Sequence, residues 1–417
     1  MNVPVLILGG GPAGLSMALF LKDRGVNAVV LEKSGRAGGL AGSFRVGPYT
    51  FDHSGHLLHT NNPEVLDLIR NRLHVPLHRI DRRAVCLVDG RLVPFPYQQN
   101  LFFQTPERVG EALKGFFERR KAAPKNFHDW IHATCGDGVG RQFMYPYNSK
   151  LWNIDLRRMS ADWVPRFIPS SGAADILKSA FLKQKDPWGY NAVFYYPKRG
   201  GMGTVAGRLA ASVSDRTILN TSIRSIDLNR RVVRTDAGEW RYERLVSTIP
   251  LPQFLRLAGR AVPDVCRATG VTVFNVGLRK SFYRDFHWCY VPDPTAPFYR
   301  FGVYSNISPS SAPRGCGALY VECAAPPDRL GRFRFSDVRR HLERLGFISG
   351  KRAVDTVHRL DIRHAYPIPL IGLARWRDGL IRRLQRRGVE LLGRFGAWRY
   401  VAISDVIVEA KEMASRL

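Results

Sequence analysis

Gly9, Gly11 and Gly14 stand at the spacing G-x-G-x-x-G, and Glu32 follows 18 residues after the last of them. That set can hold a pyrophosphate and the ribose beside it. The first glycine permits a tight turn out of a strand, the second lets the backbone approach the phosphates, and the third lets a helix pack close. Pro12 and Ala13 open that helix, whose free amides and partial positive charge would face the anion. Glu32 would take the ribose hydroxyls, and its charge predicts a free 2′-hydroxyl in preference to a 2′-phosphate. A glycine-rich turn without ligand is the plain alternative.

The elements needed to position these residues are legible around them. Val3–Leu8 reads as a buried strand, residues 12–24 as a helix with Gly25 at its end, and 28–32 as a second strand. A helix is expected over about 63–73. Residues 76–195 carry helical stretches with many aromatics and a few short strands. A helix opens at Gly200–Gly203 and runs to about Ser214, followed by alternating stretches at 217–227 and 231–235 and a buried strand at Leu245–Ile249. Residues 270–325 alternate apolar and polar positions, which predicts an antiparallel sheet. The chain ends in a strand at Val389–Leu392, a glycine turn at Gly393–Gly396 and a helix over about 404–413. The first and last segments share a strand–glycine–helix grammar that the middle lacks. The expected fold is α/β: a discontinuous Rossmann-like nucleotide-binding domain from 1–75, 200–255 and 388–417. An α+β substrate domain containing the antiparallel sheet is inserted at 76–199 and 256–387.

Composition narrows the class. The 417 residues are 45% hydrophobic and 24% charged, as in an ordinary globular protein. No apolar run approaches the roughly 18 residues of a membrane span, and the opening residues resemble a buried strand more than a signal peptide. Six cysteines without metal spacing read as buried thiols of a cytoplasmic protein. The net charge of +28 would attract anions, whether nucleotides, phosphosugars, nucleic acid or an acidic membrane face. About 50 of the 63 basic residues are arginines spread along the chain, which reads as an arginine-biased composition. The densest stretch, Arg375–Arg387, has apolar residues at helical spacing and a solvated opposite face. No module interleaves basic and stacking aromatic residues, so nucleic acid is not the expected partner.

Glu32-Lys33-Ser34-Gly35-Arg36-Ala37-Gly38-Gly39 matches the E-x-x-x-R-x-G-G extension of the glutathione-reductase-like flavoproteins. Gly393-Arg394-Phe395-Gly396 before a helix resembles their C-terminal flavin loop. The resemblance implies non-covalent FAD, with Lys33, Arg36, Gly38, Gly39 and Leu40 beside the pyrophosphate and Arg394 and Ile403 at the flavin end. Within that superfamily the chain is similar to UDP-galactopyranose mutases, and more distantly to protoporphyrinogen oxidase and the flavin amine oxidases. Ser54 to Asn61 resembles the mutase segment G-x-H-x-x-H-T-N beside the flavin ring, which implies roles for His56 and Leu57. Tyr147-Asn148-Ser149-Lys150-Leu151-Trp152 resembles Y-T-x-K-x-W at the sugar pocket. Phe298-Tyr299-Arg300 resembles Y-T-R, whose arginine holds a diphosphate. Gly393-Arg394 to Tyr400 resembles a segment whose tyrosine meets the substrate phosphate, and Tyr366 resembles a further phosphate-contacting tyrosine.

The candidate catalytic residues are therefore His56, Arg300 and Tyr400. Tyr147, Asn148, Trp152, Arg166, Tyr290 and Tyr366 complete the candidate substrate site. Core packing would explain Tyr147, Trp152 and Tyr366 equally, and Arg300 could be a surface arginine. Departures from the mutase pattern fall on the sugar side. Ile168-Pro169 is followed by Ser170-Ser171, leaving Arg166 as the nearest arginine, Pro96 and Tyr290 stand where asparagines are expected, and Val401-Ala402 replaces Tyr-Asp. The resemblance implies a redox-neutral isomerisation or ring contraction of a nucleotide sugar other than UDP-galactose, working through N5 of reduced FAD. The rivals are an FAD-dependent oxidoreductase and a flavin-free nucleotide-binding relative. The expected partner is an anionic small molecule; a homodimer is compatible with the sequence, and no metal is expected.

Overall fold

The computed structural model describes residues 1–120, 122–168, 171–183 and 192–417. Pro169 and Ser170, where the arginine-bearing mutase loop departs, lie outside the described residues.

Two large sheets organise the chain. In the first, Asn2–Leu8 lies between Gly238–Ser247 and Ala28–Leu31, parallel to both. Thr217–Ile218 extends it on one side, and Ile223–Asp227 with Val232–Thr235 forms an antiparallel flap on the other. Val389–Leu391 returns more than 380 residues later to pair in parallel with Leu245–Ser247. The second sheet runs in the order Val354–Pro367, Ala268–Leu278, Gly317–Ala325, Arg300–Val303, Trp288–Tyr290, Ala84–Val88, Arg91–Pro94. It is antiparallel except where Trp288–Tyr290 meets Ala84–Val88.

The burial of these strands follows from their sequences. Ala268–Leu278 and Gly317–Ala325 are covered on both faces and read as nearly continuous apolar runs. Val354–Pro367 lies at the sheet's edge and alternates exposed and half-buried residues. One core unites both sheets. A second, phenylalanine-rich core, with Phe282, Phe286, Phe301 and Phe347, lies against the antiparallel sheet.

Several boundaries differ from the sequence reading. The stretch 217–227 divides because Asn220 turns through φ +53°. The strand expected at 245–249 starts at Gly238, because its first half pairs as a hairpin with Val232–Thr235, and it ends at Ser247. The expected helix at 63–73 is α-helical only over Pro63–Asp67 and continues as a wider π turn to Arg72.

Candidate flavin and substrate site

Three glycine loops meet beyond the carboxyl ends of the parallel strands. Gly9 leaves its strand at φ +102°, a conformation side chains disfavour. Gly14 permits direct packing: a Cβ there would lie 2.0 Å from the Gly9 carbonyl oxygen. Gly11 differs. A Cβ added there would meet nothing nearer than Gly39 Cα at 4.0 Å, so it would project into open space over the first turn of the helix Pro12–Asp23. That helix starts with no side-chain cap and no acidic residue in its first turn, so the amides beginning at Ala13 remain for an anion. The second loop closes on the first through Gly38 N–H donating to the Gly10 carbonyl at 2.7 Å. The third rests on the same helix: a Cβ at Gly393 would lie 2.9 Å from that of Ala13. An open cradle of glycine backbone at an uncapped helix start fits the diphosphate of FAD.

Glu32 is buried and already engaged. Its carboxylate accepts from Gly10 N–H at 2.8 Å and from the amide and hydroxyl of Ser34, which fixes the loop while leaving acceptor capacity for a ribose. Arg36 donates to the Ser43 carbonyl at 3.0 Å and Leu40 is half-buried, whereas Lys33 is exposed. Ile403 opens the helix Ile403–Ala414, tied to the 54–60 segment by Ser404 donating to the His59 carbonyl at 2.9 Å. Unlike the first helix, this one carries its own carboxylate: Asp405 accepts from Ala402 N–H at 2.7 Å and pairs with Arg166 at 2.5 Å.

His56 lies within electrostatic reach of Arg394 in the third glycine loop and of Arg300 and Glu322, with Leu57 half-buried next to it. Its Nδ1 is buried and has no hydrogen-bond partner among the described residues. Burial, with Arg394 and His53 adding repulsion, pushes its imidazolium pKa down to about 4, so the ring is neutral near pH 7. Arg300 and Glu322 act on the same ring.

Arg300 is the centre of the candidate substrate side. Its strand partner in register is Glu322, and the two form a bidentate ion pair, with Nη2 at 2.9 Å from Oε1. Glu322 is wholly buried and also accepts from the Ser54 hydroxyl, so it joins the flavin-side segment to the substrate-side strand. Arg300 further donates to the Tyr366 hydroxyl at 3.3 Å, which lies 3.4 Å from that of Tyr299. Tyr290, the cross-strand neighbour of Arg300, packs edge-on to Tyr147 at 5.3 Å. Tyr366 and Tyr400 each pack against Trp152 at 6.0 Å, and Arg394 lies 4.9 Å over the Tyr400 ring. Burial pushes the Tyr366 phenol up to about 12 and that of Tyr147 well above its ordinary value, so both are neutral donors.

The fold thus gathers His56, Arg300, Tyr366, Tyr400, Tyr147, Tyr290, Trp152 and Arg394 into one region. Asn148 stands apart: its amide turns back on its own helix to the Met144 carbonyl at 2.8 Å. Arg166 points to the start of the last helix through Asp405.

Sequence reasoning missed Glu322 and Asp52, and gave Lys150 no role beyond its place in the Y-T-x-K-x-W match. Glu322 had a signal, being the single carboxylate in the apolar run Gly317–Ala325. Asp52 is fully buried and accepts from the Ser43 hydroxyl, from Tyr196 at 2.8 Å and from Met202 N–H at 3.1 Å, pinning the start of the helix Gly203–Ser212. Burial raises its carboxyl to about 7. Lys150 holds the loop after Tyr290 through the carbonyls of Val291 and Asp293 at 3.1 and 2.6 Å, and burial lowers its ammonium to about 8.

Similarity to known proteins covers nearly the whole chain. Reduced UDP-galactopyranose mutase superposes with a TM-score of 0.93 at 24% identity, covering 99% of this chain and 95% of that one. A protoporphyrinogen oxidase homologue from Exiguobacterium gives 0.77 at 18% identity, covering 99% and 98%. Putrescine oxidase bound to putrescine gives 0.67 at 15%, covering 100% and 99%. The family profile of flavin-containing amine oxidoreductases matches residues 12–345. With the match spanning most of the chain, this protein belongs to the flavin-containing amine oxidoreductase family and is a flavoenzyme with an FAD-type cofactor.

Proposed function

We propose that this flavoenzyme rearranges the ring of a nucleotide-linked sugar without net oxidation, and that its substrate is not UDP-galactose. The observation that carries the reading is the juxtaposition of Arg300, Tyr366 and Tyr400 next to the glycine cradle. A reduced flavin bound non-covalently in that cradle supplies nucleophilic chemistry at carbon. Arg300 and the phenol hydroxyls of Tyr366 and Tyr400 are the donors that hold and stabilise a departing diphosphate. His56, half-buried and neutral, offers its buried Nδ1 as a hydrogen-bonding atom between them. Trp152 packs on both Tyr366 and Tyr400 at 6.0 Å, an aromatic lining that would exclude water. The sugar side is apolar where mutases carry asparagines: Tyr290 packs on Phe95 at 4.9 Å and Pro96 follows directly. Such a lining suits a sugar with fewer hydroxyls to satisfy.

One observation favours a second reading, FAD-dependent oxidation of a neutral or cationic substrate. Glu322 neutralises Arg300, so that pair offers an incoming anion little net charge. Turnover separates the readings. The mutase reading expects dithionite-dependent isomer formation from a nucleotide sugar, with no oxygen consumed. Oxygen consumption with an amine or other uncharged donor, and no reaction with any nucleotide sugar, would replace it with the oxidase reading.

A further inference from the structure

We propose that the outward face of the helix Ala173–Phe181, with the turn Leu101–Phe103 against which it packs, docks on a bilayer surface bearing anionic phospholipid. A surface helix usually turns its polar face to water, whereas this one leaves Leu177 and Phe181, one turn apart, exposed beside its polar residues. It buries Ile176, Ser179 and Ala180 and leaves Leu177 and Phe181 outward, followed by Leu182 just past its end. Phe181 is 69% exposed, Leu182 57%, Phe102 46% and Leu177 38%. Exposed apolar residues grouped on adjoining elements mark an interaction surface.

The local charge selects the partner. Lys178 and Lys183 are exposed along the same segment, and the Lys183 ammonium lies 5.9 Å from the Phe103 ring. The one carboxylate on the helix, Asp175, is held at its start by the Gly172 amide at 3.0 Å. Phenylalanine and leucine flanked by lysines match the acyl-chain boundary below anionic headgroups. The +28 charge of the chain acts in the same direction, and it opposes burial of this face against a second copy. Among the described residues no helix is long and apolar enough to cross a membrane, so the contact is peripheral. This docking is independent of the reaction catalysed.

Flotation of the full-length, flavin-loaded protein with vesicles tests it. Phosphatidylcholine vesicles with about 30% phosphatidylglycerol should carry the protein upward at low salt, and pure phosphatidylcholine should not. Phe181→Glu with Leu182→Glu should lower the bound fraction at least about tenfold while flavin content stays constant, since both residues are exposed. Absence of flotation overturns the proposal. So does flotation unaffected by the double substitution, which would assign it to the scattered arginines. Light scattering that shows a dimer dissolved by Phe181→Glu would give the face to a second copy and overturn it too.

Discussion

The cofactor side and the candidate substrate side of this molecule are built by different means. The cofactor side is backbone: glycines bring three loops together, and an uncapped helix start presents amides. The substrate side is side chains: Arg300, Glu322, Tyr366 and Trp152 come from four separate elements and define one another by ion pairing and ring contact. A backbone site is preformed by the fold and leaves room. A side-chain site is held by mutual satisfaction, so its charges are committed before any ligand arrives. Arg394 and Arg300 show the contrast. The first stacks on Tyr400 and donates to the Val401 carbonyl at 2.9 Å, whereas the second is bound to a buried carboxylate.

The largest expected effect falls on the side-chain half. Arg300→Ala leaves Glu322 as an uncompensated buried charge and should cost about 3–5 kcal/mol of stability, whereas replacing both partners with apolar residues should recover most of it. Denaturant unfolding of the three proteins reads this directly, and an unchanged midpoint in the single variant would show that the pair does not organise the site.

Asp52, which pins the start of the helix Gly203–Ser212, gives a pH signature. Its folded carboxyl titrates near 7, above the ordinary 3.8, so the folded state disfavours its ionisation. Its contribution to stability is therefore full below about pH 4 and is lost as pH rises through 7, on the order of a few kcal/mol. Asp52→Asn should flatten that slope, with melting followed from pH 4 to 8. Parallel curves for the two proteins would contradict the assignment.

Two glycines sharpen the contrast within the cofactor half. Gly14→Ala forces a methyl against a carbonyl oxygen and should cost about 1–3 kcal/mol and the flavin. Gly11→Ala should cost under about 0.5 kcal/mol, because the space is open, yet lower flavin occupancy by filling the cradle. Full flavin occupancy in the Gly11 variant would show that the cofactor's diphosphate lies elsewhere.

The sequence made the backbone half legible because its grammar is local: a strand, glycines at fixed spacing and a helix. The pairing of Val389–Leu391 with a strand begun at Gly238 carries the same grammar at the far end of the chain. The side-chain half was legible only in its members. Arg300 and Tyr366 stood out as residues, but the register that sets Glu322 opposite Arg300 is long-range. Asp52 was hidden because its partners Ser43, Tyr196 and Met202 are scattered over 160 residues. Asn148 and Arg166 show the reverse: their types fitted a binding role, and in the fold one bonds within its own helix and the other pairs with Asp405, 239 residues on.

The central claim is that a diphosphate site adjoins the flavin and that Arg300 serves it despite Glu322. Titrating the flavin absorbance of the oxidised protein with UDP and dTDP tests this most directly. The expected result is a saturable shift in the wild type, weakened roughly 30- to 1000-fold in the folded, flavin-loaded fraction of Arg300→Ala, from the loss of about 2–4 kcal/mol of charge-assisted bonding. No spectral change with any nucleoside diphosphate at about millimolar concentration would contradict it.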